Sequence, residues 1–171
     1  MTIDSFWELI ARVRDRSPGN IELRMDILRD ELMKLPSGEV LDFDHHFDNL
    51  LDSAYRWDLW GASWVFMDGC GGDDGFWDFR SALISQGREV FENALIDPDS
   101  LADIPEQEVD NMFAEGFQYV SAQIYEKKAG GYPERVRPHP KQPFGEQFDG
   151  EDEEELQRRY PRTYARFWNK D

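Results

Sequence analysis

Apolar residues return every three or four positions along most of this chain, and nowhere do they alternate with polar ones for long enough to build a strand. Phe6, Trp7, Ile10 and Val13 make the first such stripe, with Thr2 and Asp4 as caps before it and Ser17-Pro18-Gly19 as its stop. Ile21, Met25, Leu28, Leu32 and Leu35 make the second, capped by Asn20 and ended by Pro36. Val40, Phe43, Phe47, Leu50 and Ala54 make the third. The pattern predicts an all-α protein: a single compact helical domain of about six to eight helices, followed by an extended arm rich in proline and glycine.

The stretch Trp57 to Met67 is apolar almost all round, which predicts a buried central helix. Glycines in Asp68-Gly69-Cys70-Gly71-Gly72 break it, and Asp73 or Asp74 is expected to cap the next helix. Residues 74 to 95 keep helical spacing through Gly87, with a break expected there. Pro105 is expected to open one long helix lined by Val109, Phe113, Phe117, Val120 and Ile124, ended by Gly130-Gly131. Residues 130 to 150 hold Pro133, Pro138, Pro140 and Pro143 and nothing periodic, so they read as an extended arm. Glu151 to Arg159 puts acids first and bases last, as a helix prefers, and Pro161 restarts a final turn whose Tyr164, Phe167 and Trp168 are expected to pack back on the body. The expected division is a helical domain over 1–128 and an arm with a short helix over 129–171.

With 171 residues, 40% of them apolar and twelve Phe, six Trp and six Tyr among them, the chain can build a ring-rich core. Trp57 to Met67 is the longest apolar stretch and falls short of the ~20 residues a membrane span needs. Met1 leads straight to Asp4 and Glu8 without a basic start and an apolar run, so no secretory signal is expected. The single cysteine, Cys70, agrees with a reducing, cytoplasmic setting. Charge is very uneven: residues 1–126 carry 27 acids against nine Lys and Arg, a net of −18, whereas residues 127–171 carry nine acids against ten bases. Such a body repels phosphate backbones and anionic lipids, which argues against nucleic-acid or membrane binding and favours a basic protein as partner.

The densest set of chemical groups lies between Asp68 and Arg80: a thiol, a glycine-rich turn, a helix start and the carboxylates of Asp68, Asp73, Asp74 and Asp78. Phosphate cradling is excluded because Asp73 and Asp74 stand where the anion would sit. A calcium loop of the EF-hand kind fails, since placing Gly75 sixth leaves Cys70, Gly72 and Ser81 at ligand positions. Asp74 and Asp78, one turn apart on a helix face, can still share a divalent ion, although helix capping and a solvated acidic turn explain them without any metal. Cys70 could act as a nucleophile only with a base such as His45 or His46 brought beside it; those two, adjacent on a helix, diverge by about 100° and do not chelate one ion together. His139 stands alone between prolines. Arg137 to Pro143 matches the basic-x-x-Pro-x-x-Pro form read by aromatic grooves, a short pattern that occurs often by chance, and otherwise reads as a stiff arm crossing the acidic body. Serine–histidine–aspartate elbows, zinc pairs and dinucleotide loops are missing, so no cofactor is expected.

The run Gly69-Cys70-Gly71-Gly72-Asp73-Asp74-Gly75-Phe76-Trp77-Asp78-Phe79-Arg80, then Leu83 to Glu89 and Asp97 to Ala102, with the opening Phe6-Trp7-Glu8-Leu9-Ile10, resembles the bacterial family called domain of unknown function 4240. The likeness spans residues 3 to 126. It implies a bacterial source and a small helical domain, and brings no activity, ligand or catalytic residue with it. The leading expectation is therefore a non-enzymatic interaction or regulatory domain of the immunity-protein kind, with Cys70, Asp73, Asp74, Trp77, Asp78 and Arg80 as the candidate ligand or partner site. The competing one is a small-molecule or metal-binding, hydrolase-like protein built on the Asp68–Arg80 segment.

Overall fold

Local sequence sets the helix ends. In the computed structural model, which describes residues 1–69 and 72–168, α1 (Ile3–Asp15) begins where Thr2 Oγ1 accepts the Ser5 amide at 3.2 Å. The start of α2 (Ile21–Lys34) is capped in the same way by Asn20, whose Oδ1 accepts the Leu23 amide at 2.9 Å. Next come α3 (Ser37–Ser53), α4 (Trp57–Phe66), α5 (Asp73–Ser85) and α6 (Arg88–Ile96). The expected break at Gly87 separates the last two: its φ of 97° is left-handed, and Arg14 Nη1 lies 2.7 Å from where a Cβ would stand. After four short 3₁₀ segments come α7 (Val120–Ala129), α8 (Glu153–Arg159) and α9 (Pro161–Phe167). Among the described residues that makes seven α-helices in the body and two in the tail, and no strand, only one isolated parallel bridge between Arg56 and Phe144. The protein is all-α, as its periodicity predicts.

One apolar core runs from Phe6 through Phe43, Phe47, Leu59, Phe76 and Phe79 to Phe117 and Val120, with α3 lying against α7 and α5. Rings do much of the filling: Phe6 and Phe43 lie 4.6 Å apart centre to centre, Trp60 and Phe76 4.8 Å. The tail enters the same core, since Leu156 and Tyr160 are buried in it and α9 lies on α4. The Phe167 ring lies 4.2 Å from that of Phe66, tilted by 43°, and Tyr164 and Trp168 also pack against the core.

Three local readings change. Gly72, rather than an aspartate, occupies the N-cap of α5, and Asp73 and Asp74 are its first two helical residues, where their charge faces the positive end of the helix. Trp57, Trp60 and Trp64 of α4 are half-buried rather than enclosed, because the tail covers them only in part. The long helix expected from Pro105 is replaced by 3₁₀ pieces at Glu106–Glu108, Asp110–Phe113 and Phe117–Tyr119, and α7 starts only at Val120. Two side chains and a glycine account for this. Glu108 and Asn111 turn inward to bond groups of α2 and the turn before it, and Gly116 sits at φ 102°, which a helix cannot contain. Met112 is buried in consequence, and Phe113 is left exposed.

Candidate functional site

Helix α5 distributes its candidate residues over two directions. Asp73 turns toward the end of α3 and accepts the Tyr55 hydroxyl at 3.2 Å. Asp74, Trp77 and Asp78 face outward and, with Glu115, Gln118 and Tyr119, line an open groove between α5 and the 110–119 segment. Gln118 Nε2 donates to Asp78 Oδ1 at 2.6 Å and ties the two walls together. Burial pushes the Asp78 carboxyl up and the Gln118 bond opposes it, while the charges of Glu115 and Asp74 push it further up. None of the carboxylates of Asp74, Asp78 and Glu115 is ion-paired to a described residue, so the groove holds a concentration of negative charge with no cation against it.

Arg80 points the other way. It is 0% exposed and lies over the rings of Tyr55, Phe76 and Trp77, 4.5, 4.9 and 5.5 Å from their centres. Its Nη1 donates to the Leu51 carbonyl at 2.7 Å and its Nε to the Phe76 carbonyl at 3.3 Å, while Nη2 has no hydrogen-bond partner among the described residues. Burial pulls this guanidinium down to about 10, against the charges of Tyr55, Asp73 and Asp52, which raise it. Arg80 therefore fastens the end of α3 to α5 and is not available at the groove.

The structure thus brings Asp74, Trp77 and Asp78 together and separates Asp73 and Arg80 from them; Cys70 lies outside the described residues. Trp77 joins the two environments, one side lining the groove and its ring contacting Arg80 and the His139 ring, 5.3 Å away. Among the described residues no group of three or more histidine, cysteine, aspartate or glutamate side chains is placed to hold a metal. The histidines go to separate partners: His45 Nε2 lies 3.1 Å from the Glu134 carbonyl, His46 Nε2 3.2 Å from that of Met1, and His139 Nδ1 2.7 Å from Asp52. Among the described residues no helix is long and apolar enough to cross a membrane.

Two charged clusters escape sequence reasoning. Arg24, 0% exposed, donates from Nη2 to both Glu108 oxygens at 2.9 Å, and Glu108 also accepts from the Gly19 amide, Asn111 Nδ2 and Gln86 Nε2. A signal for it exists: Arg24 falls on the same helix face as Ile21 and Leu28, where a charge must find a partner. The second cluster lies along α3, where Asp48 and Asp52 meet Arg135 and His139 of the arm. Burial raises Asp48 to about 6, with Arg135 opposing and Asp44 and Asp52 adding to the rise.

Against known proteins, the model of one family, described as protein of unknown function (DUF4240), matches residues 1–127. The chain belongs to this family. In this DUF4240 protein the match takes in α1 to α6, both walls of the groove and most of α7, whereas the arm, α8 and α9 lie beyond it. No curated protein and no solved structure matched the chain.

Proposed function

We propose that this chain is a non-enzymatic protein-interaction domain that docks a basic partner through its acidic body, with the groove between α5 and the 110–119 segment as the contact. One observation carries the reading: Asp74, Asp78 and Glu115 stand unneutralised beside Trp77 and Tyr119 in an open groove. Carboxylates next to aromatic faces suit an arginine or lysine side chain, which stacks its cation on a ring while its donors reach the oxygens. The −18 charge of residues 1–126 would draw such a partner from a distance and speed its encounter.

The test compares affinity capture by the tagged wild type and by an Asp74→Lys/Asp78→Lys variant, from host lysate, at low and moderate salt. A basic protein held by the wild type at low salt, released at moderate salt and not held by the variant supports the proposal. Equal recovery by both chains overturns it.

A further inference from the structure

We propose that residues 132–144 form a displaceable strap, occupying a second cation-docking surface on α3 that a basic, proline-containing segment of a partner takes over. The inference rests on the reading of a basic partner, and adds a second surface and a cis competitor to it.

Asp44, Asp48 and Asp52 recur every four residues and so share one face of α3. Asp44 is engaged from the body, where Ser121 Oγ donates to it at 2.7 Å. Asp48 and Asp52 receive their cations from the arm. Arg135 Nη2 donates to both Asp52 oxygens at 2.8 and 2.9 Å, its Nε lies 3.4 Å from Asp48, and His139 Nδ1 lies 2.7 Å from Asp52. The His139 ring then covers Tyr55 and Trp77, 5.0 and 5.3 Å away, and closes over two of the rings that hold Arg80. A guanidinium, an imidazole and a proline-stiffened backbone are laid on carboxylates and aromatic faces, which is how a bound basic peptide would lie.

Charge does most of the fastening here. Between residues 130 and 150 only Pro143 is buried, while Tyr132, Val136 and Phe144 stand 64%, 64% and 77% exposed. The segment's backbone meets the body through the Phe144 amide on the Tyr55 carbonyl and the Trp57 amide on the Phe144 carbonyl, both at 2.9 Å, and through the Glu134 carbonyl, 3.1 Å from His45 Nε2. A segment with few buried apolar contacts opens at far lower cost than the core beneath it, and ion pairs are what a basic competitor can replace.

The probe is a fluorescent synthetic peptide of residues 132–144, titrated at low salt into the full chain with anisotropy as readout. In the Arg135→Ala/His139→Ala variant the cis competitor is weakened, so the peptide binds about tenfold tighter or more than to wild type. Adding Asp52→Asn removes that gain. Hydrogen exchange at the Trp57 and Phe144 amides speeds up in the double variant while α7 stays protected, which shows that the fold is intact. Equal peptide affinity for wild type and variant, unchanged exchange, or a gain that survives Asp52→Asn each overturns the strap. Adding Asp74→Lys/Asp78→Lys to the Arg135→Ala/His139→Ala chain leaves the peptide gain in place, so failure at the groove and failure at the strap are read separately.

Discussion

Removing the Glu108 carboxylate is the sharpest test of how this fold is held. The side chain sits under the turn between α1 and α2 and takes hydrogen bonds from four donors, Gly19 N at 2.8 Å, Arg24 Nη2 at 2.9 Å, Asn111 Nδ2 at 2.8 Å and Gln86 Nε2 at 3.2 Å. In Glu108→Ala the Arg24 guanidinium stays fully buried with its counter-charge gone, and three further donors lose their acceptor. Breaking a buried pair from one side costs about 3–5 kcal/mol. At about 2–4 °C per kcal/mol for a chain of this size, that lowers Tm by roughly 10 °C. Urea unfolding followed by circular dichroism gives the free energy directly. The control is Arg24→Met/Glu108→Leu, which replaces the pair by apolar groups and is expected to cost less than Glu108→Ala alone, because no charge is stranded. A loss below about 1 kcal/mol in Glu108→Ala, or a double variant as unstable as the sum of the singles, refutes the idea that the pair is a coupled buried unit.

Acidity probes the same carboxylate. Burial pushes Glu108 up, but the bonds from Gly19, Arg24 and Asn111 and the Arg24 charge outweigh it, so the net shift is down from the usual 4.5. Its contribution is therefore present above that value and lost as the pH falls through the lower, folded-state value.

Asp48 behaves oppositely: raised from 3.8 to about 6, it binds a proton more readily when folded, so the wild type gains stability as the pH falls from 7 to 5. Asp48→Asn is expected to flatten that slope and to be more stable than wild type at pH 7.5 by about 1–2 kcal/mol, as read from thermal melts across pH. Gly61→Ala is expected to destabilise by about 1–3 kcal/mol, since its Cβ would stand 2.5 Å from the Tyr160 hydroxyl and force the tail off α4; an unchanged Tm contradicts that packing. Arg80→Met is expected to cost less than Arg24→Met in the same urea assay, because Arg80 leaves one donor unserved and strands no carboxylate, whereas losing Arg24 strands Glu108.

Period and punctuation in the sequence make the helices legible. The stripes of α1, α2 and α3, the break at Gly87 and the restart at Pro161 all depend on residues within one or two turns of each other. Where the outcome depends on a distant partner, the same reasoning fails. Val109, Phe113 and Phe117 keep helical spacing, yet the chain gives up that helix because Glu108 and Asn111 serve groups 84 and 90 residues away. At the candidate site, nearness in sequence groups Asp73 and Arg80 with Asp74 and Asp78, but α5 turns through about 100° per residue and spreads them over separate surroundings. Glu115, Gln118 and Tyr119, which complete the groove, come from the very segment whose shape the spacing misjudges.

The arm and tail show the same logic from the other side. Charge counting separates residues 127–171 from the acidic body, and the family match ends at residue 127. Yet Leu156 and Tyr160 are buried in the common core, and the Tyr160 hydroxyl donates to the Asp58 carbonyl at 2.8 Å against the side of α4 that Gly61 leaves open. Between these two firmly docked regions the 132–144 segment is held by Arg135 and His139 on α3, by the contact of His45 with the Glu134 carbonyl, and by one backbone bridge. Anchored at both ends and loosely fastened in the middle, it can leave α3 without unfolding either end, which is the mechanical requirement for a strap that a partner displaces.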